Sequence, residues 1–141
     1  MAFIAINKIL IMEKKIKTIA FYDYETIGLN GKGAILRKGG YIDNFTRPVS
    51  LCYILATENG DILTDRYDEI QPIDEHGNQF EIPTAAQAVH GITKHHALEF
   101  GINCTDFHKE FIEAIKDVDV IVAHNGTTFD RPVFIATCIR H

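Results

Sequence analysis

The chain has 141 residues, 46% of them hydrophobic and 23% charged, with a formal net charge of −5. That is enough for one compact domain with a substantial core, and it excludes the broad basic surface that many nucleic-acid binders carry. Three cysteines (Cys52, Cys104 and Cys138) without a C-x-x-C exclude a disulfide framework or zinc knuckle and point to a reducing, cytoplasmic compartment, and no run reaches the ~18 apolar residues of a membrane helix.

The opening "MAFIAINKILIMEKK" is apolar but broken by Asn7 and Lys8, and it has no small-residue cleavage site. It reads as a degenerate signal, an extra strand or translated leader. Residues 1–15 are therefore expected as an extension and residues 16–141 as the domain. Ile16 to Tyr24 reads as a buried strand. Its period of two puts Asp23 and Glu25 on one side with Ile19 and Phe21. Like charges at that spacing repel, and half-burial raises the cost. Either the strand end emerges into solvent, or a divalent cation sits between the carboxylates.

Five of the ten glycines follow between Gly28 and Gly40, with Lys32, Arg37 and Lys38 among them. "GLNGKGA" lacks the G-K-[ST] ending of a phosphate loop, so a solvated connection is the better reading. Two strand-like runs flank Asn59-Gly60, which predicts a hairpin with a type I′ turn. "QPIDEHGNQFEIP" reads as loop, and "TAAQAVHGITKHHALEF" as short helix or turns punctuated by Gly91.

Asn103 or Thr105 can cap a helix to about Lys116, with Phe107, Phe111, Ile112 and Ile115 as its apolar stripe. "VDVIVAH" is a continuous apolar run, typical of a strand buried on both faces. After the turn "NGTT", Asp130 and Pro132 open a second helix, where Asp130 suits the N-cap. The order β, β-hairpin, helix, β, helix describes a mixed sheet with helices packed on it. If the strand at 119–123 lies beside and parallel to the first, Asp130 arrives next to Asp23 and Glu25.

Three stretches together resemble a known family. "FYDYETIGL" is similar to the first motif of the DnaQ-like (DEDDh) 3′–5′ exonucleases, the family of polymerase proofreading subunits. "AVHGIT" resembles that family's H-G-I/M-[TS] segment, and "VDVIVAHNGTTFD" its second motif. All three stand in the family's order, over roughly Ile16 to His141. The resemblance implies an RNase H-like α/β fold with strand order 3-2-1-4 and flanking helices. It implies Asp23, Glu25 and Asp130 as three of four metal-binding acids, holding two Mg²⁺ or Mn²⁺ ions. Thr26, Ile27, Gly28 and Leu29 would hold the terminal nucleotide, with His90, Asn125 and Phe129 near the substrate; Phe129 is equally suited to the core. Ile27 stands where the family more usually has threonine, which removes a side-chain hydrogen bond from that pattern.

The resemblance further implies a single-stranded or frayed 3′ end of DNA as partner, with RNA the alternative, and a DNA polymerase as protein partner. The family's third motif, a general-base histidine followed by the fourth acid, has no counterpart after Asp130. The expectation is that the C-terminal strand and helix are missing, "VIVA" is left as an exposed apolar edge, and these 141 residues cleave weakly or not at all. "HHALEF" echoes the third motif but precedes the second, so His95, His96 and Glu99 read as a surface helix. His124 reads as a structural histidine ending a buried strand, and His76 and His108 show no partner pattern. The rival reading is a catalytically dead relative that binds nucleic-acid ends; a small-molecule-binding α/β domain would need all three motifs to be coincidence.

Overall fold

The computed structural model describes residues 17–31, 34 and 42–141. The expected extension at 1–15, Ile16 and most of the glycine-rich loop (including Lys32, Arg37, Lys38, Gly39 and Gly40) lie outside the described residues. Four strands form one mixed sheet: β1 (Thr18–Thr26), β2 (Pro48–Thr57), β3 (Ile62–Glu69) and β4 (Val120–Ala123), in the order β3-β2-β1-β4. β1 is antiparallel to β2 and parallel to β4, the RNase H-like arrangement expected from the sequence. The helices are α1 (Thr84–His90), α2 (Lys94–Phe100), α3 (Cys104–Ile115) and α4 (Asp130–Arg140).

β1 is buried on one face only. Ala20, Tyr22, Tyr24 and Thr26 point inward, whereas Phe21 and Asp23 are exposed and Glu25 is half-buried. The inward tyrosines meet Leu51 and Tyr53 of β2 and Phe107, Phe111 and Val133 from α3 and α4. Phe111 is central, with its ring 5.3 Å from Tyr22 and 5.1 Å from Tyr53. Burying an aromatic of this size contributes ~1.5–3 kcal/mol of transfer free energy. A second cluster of Val49, Ile82, Ile92 and Ala97, with Ile27 packed against it, seats the segment after β1 on α1 and α2. Beside it Arg47 clamps Glu75 through two hydrogen bonds of 2.6 and 3.2 Å, tying the loop after β3 to the start of β2.

The hairpin forms as expected, but its turn is not type I′. Gly60 (φ +91°) is in the left-handed region and Asn59 is not, while Gly60 N–H donates to Thr57 O at 3.0 Å and Thr57 N–H to Asp61 O at 2.9 Å. This is a three-residue loop with one glycine at the left-handed position. It forms because the Thr57 hydroxyl accepts Asp61 N–H at 3.1 Å and stabilises the longer loop.

In α3, the Asn103 side chain accepts Asp106 N–H at 3.2 Å and caps the helix, as expected. The stripe it buries differs from the one read in the sequence: Cys104, Phe107, His108 and Phe111 are buried and Ile112 is 44% exposed. Positions i, i+3, i+4 and i+7 share a helix face, and His108 takes the place assigned to Ile112.

β4 also departs from the reading of a doubly buried strand. Among the described residues it pairs only with β1, at the edge of the sheet, and Ile121 and Val122 are 49% and 40% exposed. This agrees with the expectation of an exposed apolar edge. An apolar groove of about 510 Å³, lined by Tyr22, Phe111, Ile115, Ile121, Phe134 and Ile135 among others, opens beside it.

Candidate functional site

The site forms where β1 outruns its parallel partner. The β1–β4 ladder ends at the pair Tyr22 and Ala123, while β1 itself continues to Thr26. The N–H of Tyr24 therefore lies past the last rung and needs another acceptor. Asp130 supplies it, with Oδ1 accepting Tyr24 N–H at 3.1 Å. The expected N-cap role of Asp130 does not hold: Phe129 occupies the cap position, Asp130 is the first helical residue, and its carboxylate reaches across to β1. Pro132 sits in the first turn of α4, where its missing N–H costs nothing.

Asp130 is 2% exposed, and burial raises its carboxyl above the ordinary aspartate range. The Tyr24 N–H opposes that rise and the negative charge of Asp23 adds to it. Two of the three predicted acids thus share one electrostatic site. Glu25 lies on the same side of β1 as Asp23, two residues along, and its charge acts on Tyr67 of β3. Among the described residues no three His, Cys, Asp or Glu side chains come close enough together to hold a metal ion. Asp23 and Asp130 supply hard oxygen donors whose repulsion a cation relieves, so this pair fits a divalent ion; the three acids are not gathered into one group.

The segment after β1 is held from both sides. Thr26 Oγ1 donates to Gly28 O at 2.7 Å, and Ile27 N–H donates to Arg47 O at 3.0 Å. The Ile27 side chain packs inward on the second cluster, Gly28 adopts φ +154° with open space where a Cβ would stand, and Leu29 is 87% exposed. His90 ends α1, and its Nδ1 accepts Ile92 N–H at 3.0 Å. Its Nε2 therefore carries the proton, and this buried donor has no acceptor among the described residues. Ile92, two residues on, packs in the cluster that also holds Ile27, so the 26–29 segment and the H-G-I-T segment rest on common support. Asn125 is exposed at φ +54°, with its carbonyl accepting the N–H groups of Thr128 and Phe129 at 3.0 and 2.9 Å. Phe129 packs against the main core.

The surface reading of α2 holds: His95 is exposed beside Glu99 at 3.5 Å, and His96 Nδ1 lies 2.7 Å from Glu69 Oε2. His124 is not the buried structural residue expected. It is exposed just past β4, and its charge acts on Asp130. His108, passed over in the sequence, is buried against Tyr24, with 2.8 Å between its Nε2 and the tyrosine hydroxyl. The signal that could have found it is its i+4 position from Cys104 on the apolar stripe.

No protein-family model matches the chain, and no curated protein matches it. Solved structures do. E. coli exonuclease I in complex with a dA16 oligonucleotide matches with a TM-score of 0.65 and 22% identity, over 84% of this chain and 23% of that one. An exonuclease I/SSB-Ct complex matches with a TM-score of 0.65 and 21% identity, over 85% and 23%. Apo exonuclease I matches with a TM-score of 0.64 and 21% identity, over 85% and 24%. The chain thus spans about a quarter of the length of these structures, and the likeness establishes its fold.

Proposed function

We propose that this chain is the N-terminal part of a metal-dependent 3′–5′ exonuclease domain of the DEDDh type, acting on single-stranded 3′ ends of DNA. The observation that carries this reading is the buried Asp130 carboxylate, held on the Tyr24 N–H beside Asp23 where the parallel β1–β4 pair ends. Loops beyond strand ends are where α/β sheets place their functional groups. Asp23 and Asp130, with Glu25 on the same strand face as Asp23, are the residues that would hold Mg²⁺ or Mn²⁺. A bound divalent ion would offset phosphate charge and make water a stronger nucleophile.

The chain's own groups have separate tasks in this reading. The Thr26–Leu29 segment presents backbone groups and the exposed Leu29 side chain to a terminal nucleotide. His90, at the end of α1 on the support shared with that segment, would lie near the terminal nucleotide. Single-stranded DNA is favoured because the fold neighbours include exonuclease I bound to an oligonucleotide and to an SSB segment. Those neighbours give a DNA polymerase partner no support. A second reading, end binding without cleavage, is favoured by the dispersed third acid.

A 3′-labelled oligonucleotide incubated with the chain and Mn²⁺, with binding and nucleotide release both followed, separates the two. The expected result is Mn²⁺-dependent binding of a free 3′ end, abolished in Asp23→Ala; nucleotide release with the same dependence supports the first reading, and binding without release the second. Equal binding to free and blocked ends overturns the nuclease reading.

A further inference from the structure

We propose that Tyr24 and His108 form a positioning pair that sets the place of Asp130, a role that rests on reading Asp130 as a site acid. Tyr24 lies between Asp23 and Glu25 and faces the opposite side of the sheet. Its N–H holds the Asp130 carboxylate at 3.1 Å, while its hydroxyl lies 2.8 Å from His108 Nε2 inside the core. His108 Nδ1–H donates to Cys104 O at 2.8 Å, which leaves Nε2 as the acceptor for the tyrosine. The rings of Tyr24 and His108 stack at 5.7 Å with 9° between their planes, and His108 stacks in turn on Phe134 of α4 at 6.3 Å.

The circuit closes on itself. β1 is fixed to α3 through the hydroxyl, α3 to α4 through the rings, and α4 returns to β1 through Asp130. The N–H contact of Tyr24 is not replaceable by a rung to β4, because β4 stops at Ala123. Removal of the hydroxyl strands the Nε2 acceptor of a 3%-exposed histidine and frees the tyrosine ring to shift. Such a shift carries the amide of residue 24 with it and loosens Asp130. Outer partners of metal ligands typically change metal affinity by ~10–100-fold, so the loss of this one is expected near the lower figure.

The test compares wild type, Tyr24→Phe, His108→Leu and the double variant, each in its folded state at low temperature. Two readouts are taken: hydrogen exchange of the residue-24 amide without metal, and Mn²⁺ affinity. Both single variants should exchange faster at residue 24 and bind Mn²⁺ about tenfold more weakly. The double variant, with two apolar groups facing each other, should regain stability but neither exchange protection nor affinity. Unchanged exchange in the folded single variants, or recovery of protection with stability in the double variant, overturns the positioning role. Asp130→Asn serves as the control for the site: unaltered Mn²⁺ binding there defeats the reading of Asp130, while the exchange data still decide the pairing.

Discussion

On one flank of β1, nine residues from Thr18 to Thr26 pair with β2; on the other, four residues from Ile19 to Tyr22 pair with β4. The β2 flank is closed by Leu51 and Tyr53, both nearly inaccessible, and by the second cluster under the 26–29 segment. The β4 flank is open among the described residues, with Ile121 and Val122 half-exposed at the edge beside the apolar groove. The closed flank fixes where the strand lies. The short flank leaves one backbone donor unclaimed, and a side chain from a distant helix takes it. The candidate chemistry stands where regular pairing runs out.

The largest expected effect tests that asymmetry directly. Leu51→Ala should cost about 2–5 kcal/mol by denaturant unfolding, as for other fully buried leucines. Val122→Ala, on the open edge, should cost under about 1 kcal/mol. Comparable costs at the two positions would show that β4 is as enclosed as β2 and break the comparison.

The next effect is set by pH on the closed flank. Hydrogen bonds from Arg47 hold the Glu75 carboxyl down to about 2, below its ordinary 4.5. A carboxyl lowered on folding stabilises the fold above the ordinary value and loses that stabilisation as pH falls through about 2. The contribution is about 2–3 kcal/mol, given the modest exposure of both side chains. Urea midpoints measured down to pH 2 should show this loss in wild type, and a Glu75→Gln variant should show less of it. Parallel curves would remove the Arg47 clamp from the account.

Asp130 gives a smaller effect of opposite sign. Burial raises its carboxyl, so the unfolded chain ionises first as pH rises, and wild type loses stability between the ordinary aspartate range and the raised value. Asp130→Asn keeps an acceptor for Tyr24 N–H without the charge. It should be the more stable protein at pH 7, with the gap closing in acid. Lower stability of the asparagine variant at pH 7 would mean that the charge itself is needed for folding without a cation.

Period-two alternation made β1 and the shared side of Asp23 and Glu25 legible, and the motif order anticipated the strand order. What escaped was decided by tertiary context. Asp130 reads as a helix cap because Asp before Arg-Pro suits one; only the mismatch in length between β1 and β4 sends its carboxylate to Tyr24. His108 looked idle because a histidine on an apolar stripe acquires its meaning from the tyrosine across the core. The doubly buried reading of "VIVA" failed because hydrophobicity reports what a strand prefers to have beside it, and here one side is open.

The central claim is that Asp23 and Asp130 are placed together to take a divalent cation. It is tested most directly by calorimetric Mn²⁺ titration of wild type, Asp23→Ala and Asp65→Ala, the last removing an acid on β3 that makes no contact with Asp130 among its electrostatic partners. The account predicts saturable binding by wild type and Asp65→Ala, and its loss in Asp23→Ala with no loss of thermal stability, since removal of one repelling charge relieves strain. Equal Mn²⁺ binding by all three proteins would contradict it.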